Sequence, residues 1–119
     1  MAKAQSTKTY DLEERTLTFA KQVNLYVISL PKIVTNIENG KQLVRSAGSV
    51  GANYREANEA LSKKDFLMRI RICRKESKET IFWLELTEPT QEESQNKARL
   101  LDETLQLMKI FGAILEKSK

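Results

Sequence analysis

Apolar residues recur at spacings of three and four along most of the chain, and no stretch sustains the alternation of a strand. At about 100° per residue, Leu12, Phe19, Val23, Tyr26, Val27 and Leu30 fall on one stripe. A second stripe holds Leu43, Ala47, Val50, Tyr54 and Leu61. A third holds Phe66, Ile70, Cys73, Ser77, Ile81 and Leu84, and a fourth Leu101, Leu105, Met108 and Leu115. The pattern predicts helices over about 12–30, 36–61, 63–88 and 91–116. Asp11 with Glu14, Thr35 with Glu38, Ser62 with Asp65, and Thr90 with Glu93 each fit a cap followed by an acid on the next turn. Pro31 and Pro89 close the first and third helices. The second helix starts at Thr35 or restarts after Asn39-Gly40. Short loops between amphipathic helices imply an all-α fold, an antiparallel up-down-up-down four-helix bundle. Residues 1–10 read as a flexible tail without the apolar core of a signal peptide, and 11–119 as one bundle domain.

The stretch from Arg45 to Ala57 departs from good helix composition. It carries Gly48 and Gly51, Ser46 and Ser49, and Asn53. Each interior glycine costs roughly 1 kcal/mol relative to Ala, which close approach of another helix would offset. Gln42, Ser46, Ser49, Asn53 and Glu56 repeat at four-three spacing and form a polar seam beside the apolar stripe. Polar groups at a half-buried seam need partners, and the third helix offers Arg69, Glu76 and Glu79. Two readings follow. Arg45, Asn53 and Glu56 build a binding site, or Arg45, Ser46, Ser49, Asn53, Glu56, Glu76 and Glu79 form a structural network that sets helix register.

Apolar residues remain after these stripes are filled. Met68, Ile72, Trp83 and Leu86 lie well over about 100° from the core stripe of the third helix. Leu100, Leu107, Phe111 and Ile114 widen the fourth helix's apolar face to about 200°. Surplus apolar surface of this kind marks association, here between copies of the chain through Met68, Ile72, Trp83, Leu86, Leu107 and Phe111. The alternative is an irregular bundle whose flanks these side chains cover.

Composition narrows the chemistry. The 119 residues hold no histidine and one cysteine, Cys73. The commonest general base and metal ligand is therefore missing, with every Ser-His or Cys-His pairing, and an internal disulfide is excluded. This cysteine usage fits a reducing cytoplasm, and no apolar run is long enough to span a bilayer. Glu56, Glu59, Glu76 and Glu79 lack the Glu-x-x-His partners of bundle metal sites, so neither metal nor cofactor is expected. An enzyme using Glu56 and Glu79 as acid and base would lack a nucleophile and a cofactor loop.

The net charge of +4 permits an acidic partner without demanding one. Lys64, Arg71, Lys75 and Lys78 share an arc of about 60° on the third helix, with Arg74 further round. This is either a solvated face or a surface for phosphate backbones. With no aromatic residue interleaved, any nucleic acid, RNA or DNA, would be held with little sequence preference and strong salt dependence. A protein partner docking on Trp83, Leu86 and Phe111 is the competing function.

The motif RSxxSxxxNxxE from Arg45 to Glu56, followed by KExxExxxWLEL from Lys75 to Leu86, carries a resemblance. With the opening Tyr10-Asp11-Leu12-Glu13-Glu14-Arg15-Thr16, the chain resembles a bacterial four-helix-bundle family whose members include proteins encoded by intervening sequences inside 23S ribosomal RNA genes. The resemblance implies an antiparallel bundle, commonly a homopentamer. It implies no catalytic role for the matched Arg45, Ser46, Asn53, Glu56, Glu76, Glu79 and Trp83. A related branch, the accessory protein of diversity-generating retroelements, implies a basic pentameric barrel that binds nucleic acid and a reverse transcriptase.

Overall fold

The computed structural model describes residues 11–119; the expected tail and Tyr10 lie outside the described residues. Four α-helices follow one another: α1 (Leu12–Ser29), α2 (Val34–Asn58), α3 (Lys63–Leu86) and α4 (Ser94–Lys117), with a 3-10 turn at Gln91–Glu93 before the last. There is no strand among the described residues.

Two of the four start signals act as side-chain caps. The Asp11 carboxylate accepts from the Glu14 N–H at 3.1 Å, and the Ser62 hydroxyl accepts from the Asp65 N–H at 3.1 Å. Thr35 is not a cap: α2 begins one residue earlier, behind Ile33, whose side chain has nothing to offer the free N–H groups. Thr90 contributes only its carbonyl, to the Glu93 N–H at 3.0 Å, and the turn it starts is 3-10. The fourth helix therefore begins at Ser94 rather than near 91.

No break occurs at Asn39-Gly40. Gly40 is buried inside α2, and a Cβ there would stand 3.0 Å from Cγ1 of Val27. Its lack of a side chain brings α1 and α2 together instead of ending the helix. The far end of α2 closes at Asn58, short of the expected 61. Leu61, expected in the core, is consequently in the connection and 99% exposed.

Cross-helix contacts show opposite registers for each consecutive pair. Asn58 at the end of α2 donates to Glu13 at the start of α1 (2.8 Å), and Gly51 abuts Thr16. Between α2 and α3, Asn36 meets Glu88, Ser46 meets Thr80 and Asn53 meets Arg69. Between α3 and α4, Lys97 donates to the Thr87 carbonyl at 2.9 Å and Arg74 lies beside Gly112. The remaining edge, α1 against α4, is sparingly joined. Its main tie is Arg15, whose Nε and Nη2 reach the two carboxylate oxygens of Glu103 at 2.8 and 2.9 Å. A cleft of about 630 Å³ opens there, lined by residues that include Gln22, Leu25 and Arg99.

The core joins all four helices: Phe19, Val23 and Tyr26 from α1; Leu43, Ala47 and Val50 from α2; Ile70, Cys73 and Leu84 from α3; Leu100, Leu107 and Phe111 from α4. The last set corrects the expected face of the fourth helix. Leu105 is exposed and Leu101, Met108 and Leu115 are half-buried, while Leu100, Thr104, Leu107 and Phe111 are buried. An apolar arc this wide is buried at its middle, and Leu107 and Phe111 occupy that middle rather than a spare flank.

Asn36 ties the α1–α2 connection to the end of α3. Its Nδ2 donates to the carbonyls of Pro31 and Glu88, each at 3.0 Å, and its Oδ1 accepts from the Glu88 N–H at 2.9 Å. With the side chain gone, three part-buried hydrogen bonds to the backbone of Pro31 and Glu88 are lost. Asn36→Ala is expected to lower the unfolding free energy by about 2 kcal/mol, read from urea titrations followed by circular dichroism.

Candidate nucleic-acid interface and the polar seam

Two sets of polar side chains lie on opposite flanks of α3. The core stripe of this helix runs through Ile70, Cys73, Ser77 and Leu84. Residues one step round on one side meet α4, and those on the other meet α2.

On the α4 side, Arg71, Arg74, Lys75 and Lys78 are exposed and line a groove of about 500 Å³ with Met108 and Leu115. A helix rises about 1.5 Å per residue, so Arg71 and Lys78 stand about 10 Å apart along it. Lys64 is also exposed, but lies two turns before Arg71 and does not line the groove. Met108 and Leu115 give the long basic stems apolar surface to lie on while the charges stay in water. Arg74 lies against α4 at Gly112, where a Cβ would meet its Nε at an ordinary contact distance of 3.9 Å. Among the described residues, the ion pairs engage Arg15, Lys41, Arg45 and Lys119, and none of the five cations of this face. The face is a row of exposed positive charge without ion-pair partners within 4 Å.

On the α2 side, the seam residues turn toward one another. Arg69 donates to Oδ1 of the Asn53 side chain at 2.8 Å, and Asn53 Nδ2 donates onward to the Ser49 hydroxyl at 3.0 Å. The Thr80 hydroxyl donates to the Ser46 hydroxyl at 2.9 Å, with both residues buried. Arg45 pairs with Glu79 and stands 3.5 Å from Glu76 Oε1. Glu56 is exposed and outside this set, so Arg45, Asn53 and Glu56 do not converge on one site. Burial raises the Glu76 carboxyl above the usual carboxylate range, hydrogen bonding with Glu79 adds to this, and Arg45 opposes it.

The residues expected at a contact between copies divide three ways. Met68 and Leu86 are exposed, and Ile72 and Trp83 half-buried. Leu107 and Phe111 are fully buried within the chain's own fold, which removes both from any surface. Phe111 packs instead against Tyr54, with ring centroids 6.1 Å apart. Phe82 was missed by the sequence reading. It is 54% exposed, stands edge-on to Trp83 and falls near the phase of Met68 and Leu86. The same helical periodicity would have found it. The sequence reading also passed over Leu25, Ile28 and Val34, all exposed on the α1–α2 hairpin.

Cys73 is buried, with its Sγ 3.5 Å from the Val50 carbonyl, and burial pushes its thiol up to about 12. It is an inert thiol at neutral pH. No helix of the described residues is long and apolar enough to cross a membrane.

The chain is similar to a protein with unknown function from the S23 ribosomal protein family of Bacteroides thetaiotaomicron VPI-5482, known from a crystal structure. The two share 32% identity over 87% of this chain and 94% of that one, with a TM-score of 0.72. No curated protein matches. The family profile described as 23S rRNA-intervening sequence protein matches residues 8–112, so the chain belongs to that family.

Proposed function

We propose that the protein is a non-enzymatic, cytoplasmic helical-bundle protein that binds RNA or DNA through phosphates, on the α3 face of Lys64, Arg71, Arg74, Lys75 and Lys78. The observation that carries this reading is the row of exposed cations without ion-pair partners, four of them around one groove. Their contacts are to charge and not to base edges, so sequence preference is weak. Self-association, with a pentamer as the family resemblance implies, would repeat the face around a ring and multiply its avidity. Exposed Met68, Phe82 and Leu86 on α3 support a contact between copies. A nucleic-acid enzyme, such as a reverse transcriptase, is a candidate partner of the assembly.

The test is fluorescence anisotropy with labelled single-stranded and duplex oligonucleotides across salt. Four phosphate contacts predict a slope of log affinity on log salt of about −3 to −4, a loss of roughly a hundredfold between about 50 and 200 mM. Changing Arg71, Arg74, Lys75 and Lys78 together to Glu is expected to abolish binding. Equal binding by that variant, or none by the parent at low salt, would overturn the reading.

The same exposed apolar side chains also favour a protein–protein scaffold without a nucleic-acid role. A partner protein that copurifies after nuclease treatment, and whose capture is lost on Phe82→Ser with Leu86→Ser, would establish it. A solution mass of one subunit at low micromolar concentration would remove self-association.

A further inference from the structure

The seam between α2 and α3 places two carboxyl groups around one cation. Arg45 Nη2 pairs with Glu79 Oε1 and also stands 3.5 Å from Glu76 Oε1. The two acids differ in exposure. The Glu79 side chain keeps 40% of its accessible surface and the Glu76 side chain 10%. Glu76 Oε1 is buried and accepts no hydrogen bond. A buried, ionised carboxylate with an empty acceptor and a half-share of one guanidinium is costly. A neutral carboxyl removes most of that cost, and the negative charge of Glu79 further opposes ionisation of Glu76.

The surroundings supply little else. On α2, Arg45 also donates to Gln42 Oε1 at 3.4 Å, and Lys41, one turn earlier, is engaged with Glu38. On α3, Lys75 acts weakly on Glu76, and Arg69 is turned to Asn53. The charged groups that act on Glu76 are Arg45 of α2 and Glu79 and Lys75 of α3.

We propose that the buried Glu76 carboxyl holds a proton beneath the Arg45–Glu79 pair, and that losing this proton loosens the packing of α3 on α2. The seam is then a pH-sensitive latch, closed in mildly acidic solution and weakened as pH rises. The sign follows from linkage. A carboxyl that keeps its proton more strongly when folded stabilises the fold fully below its unfolded value. That contribution is lost as pH rises through the folded one. This is opposite to the usual surface carboxylate paired with a base.

Two measurements on the full chain test the latch. In urea titrations from about pH 4.5 to about pH 8, the parent's unfolding midpoint is expected to fall with pH relative to that of Glu76→Gln, which keeps the shape and hydrogen-bonding atoms of a neutral carboxyl. Parallel curves for the two proteins would overturn the proposal. If Glu76→Gln does not fold, carbon-detected NMR titration of the parent decides alone. The latch predicts one glutamate carboxyl, Glu76, titrating above the ordinary range. All glutamate carboxyls titrating in the ordinary range would overturn it.

Discussion

Phe111→Ala is expected to lower the unfolding free energy by about 3–5 kcal/mol, the cost of removing a fully buried aromatic ring and leaving a cavity. Phe111 has no accessible surface and sits in the cluster that joins α4 to the other three helices. Tyr54 of α2, tilted 45° to the Phe111 ring, loses its aromatic neighbour as well. The size of the loss separates two roles that the sequence alone leaves together. A ring that served only a contact between copies would, when truncated, shift the solution mass and leave the isolated subunit's stability nearly unchanged. A ring in the subunit's own core destabilises the subunit at every protein concentration. Urea titrations at two concentrations about tenfold apart check this, and the midpoint shift is expected to be equal at both. Leu107→Ala, at a neighbouring buried position on the same helix, is expected to behave in the same way, with a loss of about 2–5 kcal/mol.

The reason this role was misread shows how far periodicity reaches. The sequence shows that α4 is amphipathic and which residues share its apolar arc. It does not show where in a wide arc the neighbours stand, because that depends on the positions of α1 and α3. Leu105 and Leu107 are equally apolar, and only packing exposes one and buries the other. On α1 the arc is narrow, and Phe19, Val23 and Tyr26 were legible as core from spacing alone. Caps divide in the same way. Asp11 and Ser62 act locally, through their own side chains, and could be read directly. The start of α2 has no side-chain cap, and the Asn36 side chain near it is tied to Pro31 within the connection and to Glu88 across the bundle, a pairing that local spacing does not report.

The candidate site was legible in parts. Five cations at helical spacing declare one face of α3, and the structure keeps them exposed. That four of them surround a groove against Met108 and Leu115 depends on how α4 lies, which spacing on α3 cannot report. The seam on the other flank was read as a group of residues but not as pairs. Arg69 could have chosen Glu76 or Asn53, and Glu56 was equally spaced for a role it does not take. Buried geometry made those choices, leaving Glu76 with one unpartnered oxygen.

Two of the three glycines of α2, Gly48 and Gly51, are expected to respond to substitution with opposite signs. At Gly51 a Cβ would lie 2.9 Å from Thr16 Oγ1 and 3.2 Å from Thr16 Cβ. Thr16 cannot yield easily. It is fully buried, branches at Cβ, and donates its hydroxyl to the Leu12 carbonyl at 2.7 Å. A larger side chain at Gly51 must therefore push α1 off α2. Gly51→Leu is expected to cost about 3 kcal/mol or more, beyond any gain in helix propensity. At Gly48, one turn earlier, a Cβ would meet nothing within 4 Å. Gly48→Ala is expected to stabilise the subunit by roughly 1 kcal/mol through helix propensity alone. Thermal unfolding of both variants, followed by circular dichroism, checks the pair. The contrast also bears on assembly. The subunit gives no reason for glycine at 48, so a Gly48→Ala variant that unfolds later yet runs at a lower solution mass than the parent would place a close approach between copies at that turn of α2.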